Sequence, residues 1–113
     1  MTHSISQNSH PDTSSVDVAI IGAGPAGLMA AEVLSAKGVS VHVFDAMPSV
    51  GRKFLLAGKG GLNLTHAEPT PVFVGRFGDR AHEIGGWLQH FGADQVRAWA
   101  EGLGVSTFVG TSG

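Results

Sequence analysis

The fold of this chain is decided by residues 17–32, which are Asp17-Val-Ala-Ile-Ile-Gly22-Ala-Gly24-Pro-Ala-Gly27-Leu-Met-Ala-Ala-Glu32. The stretch opens with a short apolar run, typical of a strand buried on both faces of a parallel sheet. It continues as G-x-G-x-x-G and passes into strong helix formers. A second apolar run, residues 39–44, ends at Asp45. This order predicts an α/β fold with a parallel sheet, in which a Rossmann-like βαβ unit binds a dinucleotide.

The glycines of the motif have separate tasks. Gly22 permits the tight turn from strand to helix, Gly24 lets the backbone approach a pyrophosphate, and Gly27 brings helix and strand together. Pro25 suits the first helical turn, where the free N–H groups, that of Ala26 included, face an anion. An isolated motif would be a weak signal in a chain with 17 glycines, but here strand, helix and acid all accompany it.

Asp45 lies 23 positions after Gly22, close to the spacing at which an acid accepts hydrogen bonds from ribose hydroxyls. The alternative is an ordinary acid at a turn. Ala46 follows it, and no arginine or lysine comes directly after. A ribose 2′-phosphate would therefore meet an acid rather than a cation, which disfavours NADP. We predict that Asp45 and Ala46 contact the cofactor.

A second candidate contact is the run Gly51-Arg52-Lys53, six to eight residues past the acid. A glycine here allows the chain to return close to a diphosphate. Arginine offers a planar fork of donors to phosphate, and lysine offers a point charge. The alternative is a solvated basic pair in a loop.

A glycine-rich loop is predicted over residues 54–66, and it is too apolar for a casual linker. From Gly51 onward the sequence G-R-K-F-L-L-A-G-K-G-G-L-N-L-T-H resembles the G-x-K-L-L-x-S-G-G-G-R-C-N-x-T-N signature of BaiN-type flavoproteins, the aminoacetone oxidase family. The matching positions are Gly51, Lys53, Gly58, Gly60, Asn63 and Thr65. The departures from the pattern are Ala57, Lys59, Gly61, Leu62 and His66.

The resemblance implies an FAD-dependent oxidoreductase that transfers hydride through flavin N5. It implies that the second loop lies along the FAD diphosphate and approaches the isoalloxazine, with Gly60, Gly61 and Asn63 at the cofactor. It also implies a small-molecule substrate and leaves room for NAD(P)H as electron donor. Because Gly61 and Leu62 replace the Arg-Cys pair of the signature, the chain resembles a divergent subgroup. No residue is assigned a catalytic role.

Two other functions fit the βαβ unit. One is an NAD-linked dehydrogenase, although such an enzyme does not need the loop at Gly51-Arg52-Lys53 or the loop from Gly58 to Asn63. The other is a non-catalytic nucleotide-binding fragment.

Composition excludes several further classes. The formal net charge of −2 gives no basic footprint for nucleic acid or a membrane surface, so neither is expected as a partner. The chain has no cysteine, and its six histidines show no ligand spacing, so we expect no metal site. Residues 1–15 are polar, without the apolar segment of a signal peptide, and we expect a cytoplasmic protein.

The remaining chain predicts a disordered tail at 1–15, a connector after Pro69 and Pro71, two helices over residues 81–91 and 94–103, and one more strand over 105–109. A dinucleotide-binding sheet usually has more strands than these. We therefore expect residues 16–113 to be the N-terminal part of an FAD-binding domain that continues in a longer protein. The segment alone is expected to be inactive.

Overall fold

A computed structural model of the chain describes residues 16–58 and 60–111. The chain divides between residues 59 and 60 into a first and a second compact unit. The predicted tail at 1–15 lies outside the described residues. No helix in the described ranges has the length and apolar character needed to cross a membrane.

The first unit contains the predicted βαβ arrangement. Strand β1 is Val18–Ile21, helix α1 is Pro25–Ala36, and strand β2 is Val41–Phe44. The strands pair in parallel, with Val18 opposite Val41 and Ile21 opposite Phe44. This parallel pair with its crossover helix confirms the α/β, Rossmann-like fold class.

The way in which helix α1 ends shortens the following strand. Gly38 has a φ of +76°, the left-handed conformation of a helix C-terminal cap. The N–H of Val39 donates to the carbonyl of Leu34, and the N–H of Ser40 donates to the Asp17 carboxylate. Because the N–H groups of residues 39 and 40 bond in this way, β2 begins at Val41 rather than at residue 39.

Gly27 accounts for the close packing of α1 on β1. A Cβ atom at this position would run into the carbonyl oxygen of Gly22 and would lie 3.2 Å from Cγ2 of Ile20. Only glycine therefore permits this approach, as the motif predicts.

A short helix, α2, spans Arg52–Leu56 where the sequence predicted only loop. It starts after Gly51, which has a φ of +63° and is buried. A Cβ on Gly51 would lie 3.5 Å from a methyl group of Leu28 on α1. Gly51 thus packs against α1, and the chain turns there into a helix. Its approach to a diphosphate stays a prediction.

The second unit contains three helices among its described residues. Helix α3 is Thr70–Gly75, a 3₁₀ turn covers Gly78–Arg80, helix α4 is Ala81–His90, and helix α5 is Ala93–Gly102. Helices α4 and α5 were predicted. Helix α3 was missed, because Pro69 and Pro71 favoured a connector, yet proline is tolerated in a first helical turn.

Residues 105–109 form no strand, so that prediction was wrong. The N–H of Val105 caps α5 by donating to the carbonyl of Ala100, and Thr107 bonds the side chains of Arg97 and Glu101. A β-branched run forms a strand only where a neighbouring strand offers a ladder, and among the described residues the sheet consists of β1 and β2.

An ion pair joins α3 to the segment before it. Nη2 of Arg76 donates to Oε2 of Glu68 at 2.8 Å, and Nε of Arg76 lies against Oε1. The hydrogen bond from Arg76 holds the pKa of the Glu68 carboxyl below its usual value, although partial burial opposes this shift. The His66 ring stacks on Phe73 of α3, and its Nδ1 accepts the N–H of Glu68. These contacts order residues 66–76.

Candidate functional site

The candidate site lies at the carboxyl ends of β1 and β2, which is where ligands bind in open parallel sheets. Gly22 makes the turn out of β1 with a φ of +103°, which an L side chain rarely adopts. Its N–H donates to the carbonyl of Phe44 at 2.7 Å, so the turn continues the ladder with β2. This hydrogen bond joins the two strand ends at the start of the turn from Gly22 to Gly24, which we call the glycine loop.

Ala23 joins the glycine loop to the segment after β2. Its N–H donates to Oδ2 of Asp45 at 2.7 Å, and its carbonyl accepts the N–H of Gly51 at 2.8 Å. Only 1% of Ala23 is exposed to solvent. Both sides of this residue are thus bonded to the chain that follows β2, across the base of the candidate site.

Asp45 accepts two backbone hydrogen bonds. Besides the bond from Ala23, its Oδ1 accepts the N–H of Met47 at 2.7 Å. The bond from Ala23, and then the bond from Met47, hold the pKa of the Asp45 carboxyl below its usual value. The group is therefore ionised at neutral pH and is a poor proton carrier there.

The N-terminus of α1 presents backbone donors beside this carboxylate. Among the described residues, no acceptor bonds the N–H of Gly24, Ala26 or Gly27. A Cβ on Gly24 would meet nothing within 4 Å, so the space in front of it is open. Free N–H groups at the positive end of a 12-residue helix are suited to an anion.

A cleft of about 190 Å³ lies beside Gly24. Its lining residues are Ala23, Gly24, Pro25, Asp45, Met47, Ser49, Gly51, Arg52, Lys53 and Phe54. Nη1 of Arg52 donates to Oγ of Ser49 at 3.2 Å, which holds the guanidinium near the loop. A second cleft, of about 340 Å³, is lined by Ile21, Gly22, Phe44, Asp45 and Ala46 at the strand ends. Asp45 borders both clefts.

Most of the predicted site residues come together in the first unit. The smaller cleft holds Gly24, Pro25, Asp45, Gly51, Arg52 and Lys53, and the larger one holds Gly22, Asp45 and Ala46. Ala26 and Gly27 form the first turn of α1, behind Gly24. Gly60, Gly61 and Asn63 are exposed residues of the second unit, in a segment without helix or strand. Their contact with the cofactor stays a prediction.

Several residues that line the two clefts were not predicted. Ala23 could have been predicted from the sequence, since a buried turn requires a small residue between Gly22 and Gly24. No sequence feature indicated Met47 or Ser49, because their positions depend on the path of the segment after Asp45. Ile21 and Phe44 are the last residues of their strands, and their large side chains line the larger cleft.

The chemistry of this arrangement suits a dinucleotide. Backbone N–H groups, Arg52 and Lys53 are groups that can bind a diphosphate, and the Asp45 carboxylate can accept hydrogen bonds from hydroxyl groups such as those of ribose.

The chain matches the family of the HI0933-like protein Rossmann domain over residues 16–113. Three of the curated proteins to which it is similar illustrate the range of its relatives. The ribosomal RNA dihydrouridine synthase of Haemophilus influenzae is 52% identical over 53 residues, which are 47% of this chain and 13% of that protein. The thiamine thiazole synthase of Methanococcus maripaludis is 37% identical over 95 residues, 84% of this chain and 36% of that protein. The small chain of the NADPH glutamate synthase of Azospirillum brasilense is 58% identical over 36 residues, 32% of this chain and 8% of that protein.

The chain thus spans about an eighth of the first relative and about a third of the second. The family match, by contrast, covers every described residue, including the glycine loop, Asp45 and both clefts. The chain therefore belongs to the HI0933-like Rossmann domain family.

Proposed function

We propose that this chain is the FAD-binding segment of an FAD-dependent oxidoreductase. In this proposal residues 16–113 form the N-terminal part of the FAD-binding domain, and the rest of a longer protein completes the flavin end of the site. The segment alone is then inactive. The family match and the α/β fold support the nucleotide-binding part of this proposal.

One observation carries the choice of cofactor. The segment after β2 returns to the glycine loop, where the N–H of Gly51 bonds the carbonyl of Ala23. This return brings Arg52 and Lys53 to the same cleft as Gly24. Two loops that serve one diphosphate site fit FAD, whereas an NAD-linked dehydrogenase needs only the first.

The residues that directly follow Asp45 disfavour a nucleotide with a 2′-phosphate, because they offer it no cationic side chain. Ala46 and Met47 follow the acid, and Met47 contributes only its N–H, to the carboxylate itself. A 2′-phosphate in this position would face the ionised carboxylate, because the pKa of Asp45 is lowered. Adenosine with free ribose hydroxyls is the form that this site accepts.

The residues of this chain bind and orient the cofactor. When bound, FAD supplies hydride transfer at its N5 atom. The N–H groups of Gly24 and Ala26 would hold the diphosphate, together with the Arg52 guanidinium, and Asp45 would accept ribose hydroxyls. The described part of the chain supplies position and electrostatics.

We propose further that the protein is of the BaiN type, with Gly60, Gly61 and Asn63 at the diphosphate and the isoalloxazine. The matches to the BaiN signature from Gly51 to Thr65 support this assignment. A cytoplasmic location, a small-molecule substrate, NAD(P)H as donor and no membrane partner belong to the same proposal.

A second candidate concerns the substrate. The relative from Haemophilus influenzae is named as a ribosomal RNA dihydrouridine synthase, and 52% identity over 53 residues favours a related substrate, a uridine in RNA. The nearly balanced charge of this chain favours the small-molecule substrate instead. Reoxidation of the NAD(P)H-reduced protein by unmodified ribosomal RNA, with loss of uridine, would select the RNA candidate.

The variant Gly24→Ser tests the cofactor site in the full-length protein. Serine is a favoured N-cap residue, and the space beside Gly24 is open, so the fold is expected to keep its stability. Its side chain would enter the cleft, and overpacking of this kind corresponds to roughly 10-fold to 100-fold weaker binding. We expect the wild-type protein to purify with bound FAD, identified by chromatography after denaturation, and the variant to lose it.

Gly102→Ser is the matched control, since a Cβ on Gly102 at the end of α5 also meets nothing within 4 Å. It should keep FAD. A colourless wild-type protein that binds NADH instead would contradict the proposal and select the dehydrogenase.

A further inference from the structure

We propose that Asp45 is a positioning residue that holds the glycine loop in shape before the nucleotide binds, in addition to binding ribose. The inference rests on the proposed function for the identity of the ligand. It concerns the segment from Gly22 to Gly24 and its attachment to the segment from Asp45 to Gly51.

The geometry places one carboxylate between two backbone donors. Oδ2 of Asp45 accepts the N–H of Ala23, and Oδ1 accepts the N–H of Met47, each at 2.7 Å. Ala23 is 22 residues away in sequence, so its bond closes a long loop. The second bond fixes the turn that leads to Gly51, whose N–H bonds the carbonyl of Ala23. Asp45 therefore holds both segments that line the smaller cleft.

This arrangement sets which donors face the diphosphate. Because the N–H of Ala23 is bonded to Asp45, it is not available to a ligand, and the first free donor of the loop among the described residues is the N–H of Gly24. An ionised carboxylate has about four lone-pair sites, and the two backbone bonds leave the others for ribose hydroxyls. Both roles are thus compatible in one side chain.

The variant Asp45→Asn distinguishes the positioning role from the ribose-binding role. The Asn amide has a single acceptor oxygen, so it cannot accept both N–H groups on separate oxygens, and its NH₂ would face a backbone donor. Removing the negative charge would, by itself, strengthen the binding of an anion nearby. A role confined to ribose therefore predicts that Asp45→Asn binds inorganic pyrophosphate as well as wild type or better.

The experiment measures ADP and inorganic pyrophosphate binding by calorimetry in the full-length protein after removal of its cofactor. For Asp45→Asn we expect both affinities to fall about tenfold or more, since hydrogen bonds to a charged group are lost and the loop loses its shape. The matched control is Asp17→Asn, because the one bond found for the Asp17 carboxylate within residues 16–58 and 60–111 comes from the N–H of Ser40, and an amide oxygen can accept it equally. That variant should bind both ligands as wild type does. Loss of ADP binding alone in Asp45→Asn would overturn the positioning role.

Amide hydrogen exchange of the cofactor-free wild type provides a test that needs no variant. The N–H of Ala23 should exchange much more slowly than that of Gly24, which has no acceptor among the described residues. Equal rates would overturn the inference. If the wild type binds neither ligand while Ala23 is protected, the proposed function fails and the loop arrangement stands.

Discussion

Single glycines in one motif have opposite physical roles in this protein. Gly24 and Gly27 are three residues apart, yet the space beside Gly24 is open and the space beside Gly27 is filled by the chain itself. The open space beside Gly24 would admit the proposed ligand, whereas the absence of a side chain at Gly27 makes room for a backbone carbonyl. A motif match therefore joins one functional requirement with one structural requirement.

Gly27→Ala tests the structural requirement. The added methyl group would run into the Gly22 carbonyl oxygen, so α1 must move away from β1. We expect a loss of about 1–3 kcal/mol in the free energy of unfolding of the cofactor-free protein, the usual cost of overpacking. Urea unfolding measures it, with Gly24→Ser as the control that keeps the wild-type midpoint. Equal midpoints for Gly27→Ala and wild type would show that the helix can shift without cost.

The sequence predicted the elements whose signals are local. Strand β1, helix α1 and helices α4 and α5 all follow from apolar runs, periodicity and glycine positions. The strand predicted over residues 105–109 is not formed, because a strand depends on a partner elsewhere in the chain. Helix α2 was not predicted, because its start depends on the left-handed turn at Gly51. These outcomes depend on tertiary context, which a local pattern does not contain.

The site shows the same division. The motif predicted Gly22, Gly24 and Asp45, whose roles are encoded by spacing along one βαβ unit. It did not predict that the Asp45 carboxylate bonds Ala23 and Met47, because that contact depends on how the chain turns after β2. Hydrogen-bond partners of a side chain across a turn are therefore visible only in the structure.

Helix α4 contains two adjacent glycines whose surroundings differ. A Cβ on Gly86 would meet nothing within 4 Å, whereas a Cβ on Gly85 would lie 3.3 Å from Cγ1 of Val74. Gly86→Ala should therefore raise the free energy of unfolding by about 0.5–1 kcal/mol, because alanine loses less backbone entropy in a helix. Gly85→Ala should gain less, since Val74 must move. Thermal unfolding of the pair measures the difference, and a larger gain for Gly85→Ala would contradict the α3–α4 contact.

At the scale of the whole molecule, the described residues bury few apolar groups. Ala23 and Ala100 are the buried hydrophobic residues, and both are small. Large apolar side chains remain exposed in both units, among them Ile21 at 83% and Phe108 at 82%. Exposed apolar surface of this extent usually marks a contact region or a liability to association.

The 113-residue polypeptide alone is therefore expected to be marginally stable. Few buried side chains leave little hydrophobic free energy to offset the loss of chain entropy. Bound FAD could add stability only through contacts that the folded state offers, and in the proposed function the described cleft would hold the diphosphate and ribose rather than the flavin ring. We expect ANS binding, broad thermal unfolding and loss of FAD during gel filtration, whereas the full-length protein keeps its flavin. A monodisperse polypeptide that unfolds cooperatively and retains stoichiometric FAD would contradict this expectation and would make these residues a flavin-binding module in their own right.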